Sequence, residues 1–400
     1  MKRAWFVAAA AAALIVAICS AGDYLHAASP PDGDARLAEL QARFQAGLDT
    51  IRDKYDLPGI TAAYALPDGR VVAFATGLAD KETGAKMTPD TRMPAGSIGK
   101  TFVSAMTLAL VQDGKLALDD KLEKWLGKEP WFAELPNGPQ ITVRHLLMHR
   151  AGLADHISDP KFGAAVHQMV RALDTDPDYY FKPQDLVGYI LGREPLAPAG
   201  QQFKYTDTGY ILLGLVIERA GGAPYYAQVR ARFLEPLGLK LTEPADHRDI
   251  ANLAAGYLAV KNAFGLPQKI TADGELVYNP LTEWTGGGLV SNPQDLARWA
   301  KALFEGRALP KPYLDDLLST DPQDAKKASK YALGVYLTQS ELGTSYGHGG
   351  WSVGYLSHVD YYPAERVALA VQVNTDVRDD MLADLLALFK DVLQTVGKSK

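Results

Sequence analysis

The tetrapeptide SIGK at residues 97–100 is followed at once by the long apolar run TFVSAMTLALVQDG at residues 101–114. Residues three apart lie on the same face of a helix. The run is apolar almost all round, and Gly114 stands where a glycine ends a helix. The pattern therefore predicts a buried helix with Ser97 at its N-terminus and the Lys100 amine one turn above the serine hydroxyl.

This placement has a chemical consequence. A serine hydroxyl is a weak nucleophile until a neighbouring base takes its proton. Lys100 can be that base if burial or nearby cations depress its pKa. The N–H groups and positive potential of a helix N-terminus favour developing negative charge at Ser97. On the tetrapeptide alone, an ordinary N-cap serine with a solvated lysine remains the alternative.

The residues SDPK at 158–161 also have a serine and a lysine three apart. Proline disfavours the helical conformation at the preceding residue, Asp159. We also expect no apolar helix to follow this segment. The second match is therefore interpreted as chance, and Ser97 is the candidate nucleophile.

The composition indicates a soluble globular protein and limits its partners. The chain has 400 residues, of which 47% are apolar and 22% charged, and its formal net charge is −6. A mildly acidic chain without long basic runs is a poor nucleic-acid binder. The single cysteine, Cys19, lies in the leader, so the mature protein is expected to have no disulfide and no thiolate metal site.

The N-terminus has the pattern of a bacterial secretory signal. Lys2 and Arg3 precede an uncharged, Ala-rich stretch at 4–18, and small residues follow. We expect a signal peptide at 1–21, with Ala27 or Ala28 as alternative cleavage positions, and a periplasmic or secreted product. An uncleaved anchor is the alternative and would be the only source of membrane contact, although the stretch is short for a membrane span.

After a predicted flexible spacer at 22–34, both ends of the chain have strand-like runs beside helical patterns. The predicted elements are a helix at 35–55, strands at 60–66, 71–76, 331–338, 353–362 and 367–373, and a closing helix at 379–396. They predict an α/β (α+β) domain at 35–396, in which terminal helices cover an antiparallel sheet. Its α/β lobe comprises 35–96 and 285–396, with a mostly helical lobe inserted at 97–284.

Ser97 would lie at the junction of these lobes, where clefts form. Residues 243–283 have little periodicity and many turn residues. A stretch of that length inside a compact protein predicts a functional loop region.

Two further segments contain chemically useful groups. Tyr205 and Asp207 come just before an apolar helix, where a tyrosine can project into a cleft and act as a base if cations lower its pKa. A packed tyrosine bonded to the backbone is the alternative.

The sequence GHGGW at 347–351 comes just before a predicted strand, and its glycines allow a ligand close to the backbone. Backbone N–H groups there can form an oxyanion hole. His348 is a candidate for holding a substrate carboxylate or tuning a neighbour, or is a turn residue without a role.

The order Ser-x-x-Lys, Tyr-x-Asp, His-Gly-Gly resembles the serine β-lactamase and penicillin-binding-protein superfamily. The similarity is greatest to its class C β-lactamase, D,D-carboxypeptidase and family VIII esterase branch, over about 37–393. It implies a β-lactamase/transpeptidase-like fold with Ser97 as the acylated nucleophile. It also implies that Lys100 and Tyr205 share the general-base and general-acid work.

The same resemblance places His348-Gly349-Gly350 where the family has Lys-Thr-Gly or His-Thr-Gly. It makes the backbone N–H groups of Ser97 and Trp351 the oxyanion hole. Water would resolve the acyl-enzyme, and neither a metal nor an organic cofactor is expected.

Position 207 departs from the family, which usually has asparagine there. An ionised aspartate only accepts hydrogen bonds, whereas an asparagine amide also donates. Asp207 can instead pair with Lys100 or with a substrate ammonium. The sequence thus predicts an exported serine hydrolase of ester or amide substrates, D-amino-acyl peptides or β-lactam-like molecules, rather than a proficient β-lactamase. The alternative is a catalytically weak penicillin-recognition or scaffold protein.

Overall fold

The computed structural model describes residues 31–172, 175–176, 178–258, 264–376 and 381–397. The chain divides into a unit at 1–39, whose described residues are helical, and a compact unit at 40–400 that contains the strands. The helices are α1 (Pro31–Lys54), α2 (Gly99–Gln112), α3 (Leu122–Leu126), α4 (Val143–Leu147), α5 (Pro160–Ala172), α6 (Pro183–Gly188), α7 (Asp207–Gly221), α8 (Tyr225–Val229), α9 (Glu235–Leu237), α10 (Trp284–Gly287), α11 (Pro293–Phe304), α12 (Tyr313–Leu317) and α13 (Met381–Gly397). The strands are β1 (Gly59–Ala65), β2 (Val71–Asp80), β3 (Ala85–Lys86), β4 (Met93–Pro94), β5 (Glu243–Pro244), β6 (Thr271–Ala272), β7 (Glu275–Leu276), β8 (Leu289–Ser291), β9 (Ser329–Tyr331), β10 (Tyr336–Ser340), β11 (Gly343–Ser352), β12 (Tyr355–Tyr362) and β13 (Val367–Val373).

Within the described residues, eight strands form one antiparallel sheet in the order β3-β2-β1-β13-β12-β11-β10-β9. Ala62 of β1 lies opposite Phe74 of β2 on one side and Val371 of β13 on the other. The first strands of the chain are thus joined directly to the last strand. This confirms the prediction of a sheet built from both ends of the chain.

Both faces of this sheet are covered. Tyr64 of β1 packs against Phe44 of α1, with ring centroids 5.5 Å apart, and Phe44 stacks on Phe389 of α13 at 6.4 Å. Successive strand residues point to opposite faces, so Ala63 faces the other way, into the core that contains Trp299 of α11. Every residue of β1 is buried, which explains its continuous apolar sequence.

Helix α2 has the buried character that its sequence predicts. Its residues from 99 to 110 are buried, and Phe102 stacks on Trp299 with ring centroids 3.8 Å apart. The Trp299 indole N–H also donates to Thr101 Oγ1 at 2.7 Å. The helix ends at Gln112, and Gly114 has a φ of +68°. A 3₁₀ turn over Gly96–Ile98 precedes α2, so Ser97 lies in that turn rather than in the α-helix itself.

Several other boundaries follow local signals. Helix α7 ends at Gly221, and Gly222 adopts the left-handed conformation that glycine tolerates. Helix α11 begins at Pro293, with the Asn292 side chain accepting from the Asp295 N–H at 2.9 Å.

Four expectations differ from the structure. The single strand predicted at 331–338 is two strands, because β9 ends at Tyr331 and β10 begins at Tyr336. Residues 347–351 lie inside β11, not ahead of a strand. A helix, α5, does follow the second serine–lysine match, because proline is well tolerated at a first helical position. Helix α1 begins at Pro31, inside the predicted spacer.

The predicted signal peptide at 1–21, and residues 379–380 of the predicted closing helix, lie outside the described residues. Among the residues that are described, none of the helices combines the length and the apolar character needed to cross a bilayer.

Candidate active site

Ser97 is held where three elements meet. The 3₁₀ turn that contains it follows β4, which pairs with β8. A side chain on Gly96, whose φ is +52°, would place its Cβ 2.7 Å from the Trp351 backbone N, and one on Gly287 would come within 2.6 Å of the Gly96 carbonyl carbon. Glycine at both positions therefore lets α10 and β11 close on the backbone around Ser97. The structure thereby brings together the two residues, Ser97 and Trp351, whose N–H groups are the predicted oxyanion hole.

Lys100 is fully buried beside Ser97. Its Nζ lies 3.0 Å from Ser97 Oγ, forms an ion pair with Asp207 Oδ1 and donates to the Gly286 carbonyl. An ammonium has three donors and no acceptor, and these three oxygens match it. Burial alone lowers the pKa of Lys100, but the negative charge of Asp207 and contacts with Tyr205 raise that pKa above its ordinary value. Lys100 is therefore an ammonium in the free protein.

Tyr205 stands just ahead of α7, and its hydroxyl is buried beside Ser97 and Lys100. Lys100 Nζ lies 5.1 Å from the centre of the tyrosine ring. Burial raises the pKa of Tyr205, and the nearby Lys100 charge offsets this only in part. Tyr205 is thus a neutral phenol, able to donate a proton.

Asp207, the first residue of α7, has a second acid next to it. Its backbone N–H donates to the Asp155 carboxylate, and burial together with the charge of Asp207 raises the pKa of Asp155 to about 7. His156 lies 2.9 Å, through Nδ1, from Thr208 Oγ1, and burial lowers its pKa to about 4. His156 is therefore neutral at pH 7.

His348 is part of a directed chain of hydrogen bonds. Its Nδ1 lies 2.6 Å from the Gly349 carbonyl, which only accepts, so Nδ1 holds the proton and Nε2 accepts from the Tyr331 hydroxyl at 3.1 Å. His149 Nδ1 accepts from the Thr206 N–H at 3.2 Å, so its Nε2 donates to Tyr331 at 3.2 Å. Burial lowers the pKa of His348 to about 3 and also depresses that of His149. Both imidazoles are neutral.

The two glycines after His348 differ in what they contact. A Cβ on Gly350 would clash with the Ala95 carbonyl, whereas one on Gly349 would meet only the His358 ring, at ordinary contact distance. Gly350 therefore allows β11 to lie against the turn of Ser97. Gly349 contributes its carbonyl to His348.

A cavity of about 100 Å³ opens beside Ser97. Most of its wall is apolar and comes from α5, α7 and the loop region at 264–283. The apolar lining side chains are Ile157, Phe162, Val166, Met169, Ile211, Phe264, Leu266, Trp351 and Val353. Two carboxylates, those of Asp207 and Glu283, also line this cavity.

Glu283 was not identified from the sequence as a site residue. Its carboxylate accepts from the Tyr278 hydroxyl at 3.2 Å and from Ser352 Oγ at 3.1 Å. Burial raises the pKa of Glu283 to about 7. The only sequence signal was its position at the end of the aperiodic region 243–283, which predicted a functional loop. His149 and Tyr331 were also missed, because neither belongs to a motif of its own.

Comparison with known proteins shows the family. The family model described as Beta-lactamase matches residues 38–391. The chain belongs to the beta-lactamase family. This confirms the resemblance and, with the structural match below, the β-lactamase/transpeptidase fold.

Two curated relatives and one solved structure illustrate the range of this family. Penicillin-binding protein 4 of Amycolatopsis lactamdurans is 25% identical over 88% of this chain and 89% of its own length. D-aminopeptidase of Brucella anthropi is 26% identical over 81% of this chain, which spans only 58% of that relative. The D-amino acid amidase of Ochrobactrum anthropi SV3, solved in complex with D-phenylalanine, has a TM-score of 0.72 and 26% identity, covering 90% of this chain and 100% of that one. At the level of its family, this beta-lactamase-family protein is a serine hydrolase.

Proposed function

We propose that the protein hydrolyses esters and amides with a compact apolar acyl group, through an acyl-enzyme on Ser97. One observation carries the proposal. At the mouth of an apolar cavity, Lys100 contacts both Ser97 Oγ, at 3.0 Å, and the carboxylate of Asp207. The nucleophile Ser97, the proton carrier Lys100 and the proton acceptor Asp207 are thus in consecutive contact.

The first step moves the serine proton. Because Lys100 is an ammonium, it passes one proton to Asp207 Oδ1 as it takes the Ser97 proton. A neutral amine–acid pair becomes accessible when a buried site offers little solvation to charges. Ser97 Oγ then bonds to the substrate carbonyl carbon, and the N–H groups of Ser97 and Trp351 stabilise the oxyanion.

The second step releases the leaving group. Tyr205 donates its proton to the leaving nitrogen or oxygen as that bond to carbon breaks. Lys100 then returns a proton to Tyr205, and Asp207 returns its proton to Lys100. The serine proton therefore ends on the leaving group, and the ion pair is restored. In deacylation, water bonds to the acyl carbon and gives a proton to Tyr205, while Tyr205 passes its own proton to Lys100 and Lys100 passes one to Asp207. The bond from the acyl carbon to Ser97 Oγ then breaks, Ser97 takes a proton from Lys100, and Asp207 returns its proton to Lys100.

The charges around the site support substrates without a free carboxylate beside the scissile bond. His348 is neutral, and both of its ring nitrogens are hydrogen-bonded within the protein. It is therefore assigned the role of holding β11 in position rather than of binding a carboxylate. Lys100 is neutralised by Asp207. Amides and esters that lack such a carboxylate are therefore favoured over D,D-carboxypeptidase substrates and β-lactams.

Covalent labelling tests this function. A fluorophosphonate should label the wild-type protein at Ser97, as located by peptide mapping, and Ser97→Ala should abolish labelling. Ser158→Ala, in the second serine–lysine match, is the matched control and should label normally. Labelling that survives Ser97→Ala would refute the assignment.

A fluorescent penicillin tests the alternative function in the same way. The penicillin-recognition hypothesis predicts stable labelling of Ser97 without turnover of esters or amides. The hydrolase proposal predicts that the kcat/KM for an ester far exceeds the second-order rate constant of penicillin labelling.

A further inference from the structure

Glu283 is a half-buried acid in the wall of the cavity. Its carboxylate lines the cavity next to Ser97 and is held by two neutral donors, Tyr278 and Ser352. Within the described residues, no lysine, arginine or histidine forms an ion pair with it. Asp324, which is buried, does have such a partner in Arg150. A buried carboxylate is costly unless it is paired, so Glu283 is poised for a cation from outside the protein.

The second carboxylate of the cavity is not available for that cation. Asp207 is already paired with Lys100, which also contacts Ser97. The rest of the wall is apolar, with Phe162 and Ile211 among its members. An acyl group that fills this cavity would place its apolar part against that wall, and its charge, if positive, near Glu283.

We propose that Glu283 binds the protonated amine of an amino-acyl substrate, so that the enzyme prefers amino-acid amides, esters or peptides with a free amino group. This rests on the proposed acyl-enzyme function and names its substrate class. The positive charge of the ammonium pairs with the carboxylate, while Tyr278 and Ser352 keep that carboxylate turned to the cavity. The carbonyl carbon of such a substrate is then presented to Ser97.

The titration of Glu283 fits this role. Burial raises its pKa to about 7, with the charge of Asp207 adding to the rise and that of Lys100 opposing it. The polar and charged groups that face it are Tyr278, Ser352, Asp207, Lys100 and Tyr226. Because an incoming ammonium favours the ionised carboxylate, the bound amine would lower this pKa.

The test uses two substrates that differ only in the amine: alanine p-nitroanilide, as both enantiomers, and propionyl p-nitroanilide. The wild-type protein should have the higher kcat/KM for an alanine derivative. Glu283→Gln should reduce the ratio of the two kcat/KM values by about tenfold or more, since a charged hydrogen bond is lost. Glu283→Asp, which keeps the charge, should recover part of the ratio. Glu341→Gln, in an exposed turn, is the matched control and should leave the ratio at its wild-type value.

The pH dependence of the same ratio is a second readout. An α-amino group has a pKa of about 7.7–8.0, so it stays protonated below about pH 7. The wild-type ratio should fall several-fold between about pH 7 and pH 5.5 as Glu283 is protonated, and in Glu283→Gln it should be flat. Titrations common to both substrates, such as that of Asp155, cancel in the ratio.

Binding can also be followed without turnover. Phenethylamine should slow the fluorophosphonate labelling of Ser97 in the wild-type protein more than 2-phenylethanol does, and Glu283→Gln should remove the difference. An unchanged substrate ratio and equal protection in Glu283→Gln, with a cooperative thermal unfolding transition no lower in temperature than that of the wild type, would overturn the role of Glu283 while leaving the hydrolase intact. Absence of any phosphonate labelling at Ser97 would instead overturn the proposed function itself, and this inference with it.

Discussion

Replacing Asp207 with asparagine tests the proton path directly. Asp207→Asn keeps the shape of the side chain but removes the charge that pairs with Lys100. Lys100 Nζ would still lie near Ser97 Oγ, at 3.0 Å, and near the Gly286 carbonyl. The variant therefore removes the proton acceptor and the main cause of the raised Lys100 pKa, while burial, which lowers that pKa, remains.

The size of the effect follows from burial. Desolvation lowers the pKa of a fully buried lysine by up to about 3–5 units. The two remaining acceptors of Lys100 would retain part of the stabilisation of its charge. Taking about half of the full effect, from the ordinary value of 10.5, gives a pKa of about 8 to 9 in the variant. At pH 7 only about one Lys100 in 10 to 100 would then be a free amine.

The assay is the pH profile of kcat/KM with an uncharged p-nitrophenyl ester, from pH 5 to 10. In the wild-type protein the Lys100–Asp207 pair needs no prior loss of a proton, so the profile should be flat from about pH 7 to 9. In Asp207→Asn, activity at pH 7 should be about 10- to 100-fold below its own alkaline plateau and should rise with pH. Asp155→Asn removes the neighbouring carboxylate, which does not contact Lys100, and should show no such alkaline limb.

Two results would refute this reasoning. A variant profile that superimposes on the wild type would place Asp207 outside the proton path. A profile lowered equally at every pH would make Asp207 a structural residue.

Asparagine also supplies an amide donor, so the kcat/KM for a β-lactam relative to the ester should rise several-fold in Asp207→Asn, since a hydrogen bond contributes about 1 kcal/mol.

Three further predictions concern proton transfer, export and stability. Lys100→Ala and Tyr205→Phe should each lower the acylation rate by orders of magnitude, and the double variant should be scarcely slower than either, because the two residues serve one step. Stopped-flow measurement of acylation tests this, and additive losses would show that the two residues act in separate steps. The exported protein should begin between Gly22 and Ser29, as determined by N-terminal sequencing of a periplasmic fraction, whereas a sequence starting at the first residue would indicate an anchor. Glu283→Gln should be more stable than the wild type at pH 8, by up to about 3 kcal/mol. A carboxyl with a raised pKa makes the folded state bind more protons than the unfolded state between pH 4.5 and about 7, so wild-type stability falls across that window. Urea unfolding at pH 4.5, where the two should agree, and at pH 8 checks the sign, and equal stability at both would contradict the burial of an ionised acid.

The sequence alone predicted what depends on neighbours along the chain. The buried helix after Ser97, its end near Gly114 and the apolar strands β1 and β13 all follow from spacing, end signals and periodicity. These signals act within one or two turns of helix or a few strand residues. The Ser97–Lys100 contact belongs to this class, because three residues along one helical turn place the two side chains together.

Tertiary structure decided what depends on residues far apart. The segment around His348 is rich in glycine, which is unfavourable in strands, and its pairing with β12 on one side and β10 on the other makes it part of β11. Asp207 is more than a hundred residues from Lys100, so local pattern cannot place the two together. The family resemblance offered this pair as one of two partners for Asp207, and the structure shows the ion pair and the raised lysine pKa. His348 is likewise neutral because it is buried, and the hydrogen bond that it accepts comes from Tyr331 on β9, two strands away in the sheet. The pKa of Glu283 is raised because segments far apart in the sequence pack around it. Desolvation and Coulomb interactions depend on distance in space and not on separation in sequence.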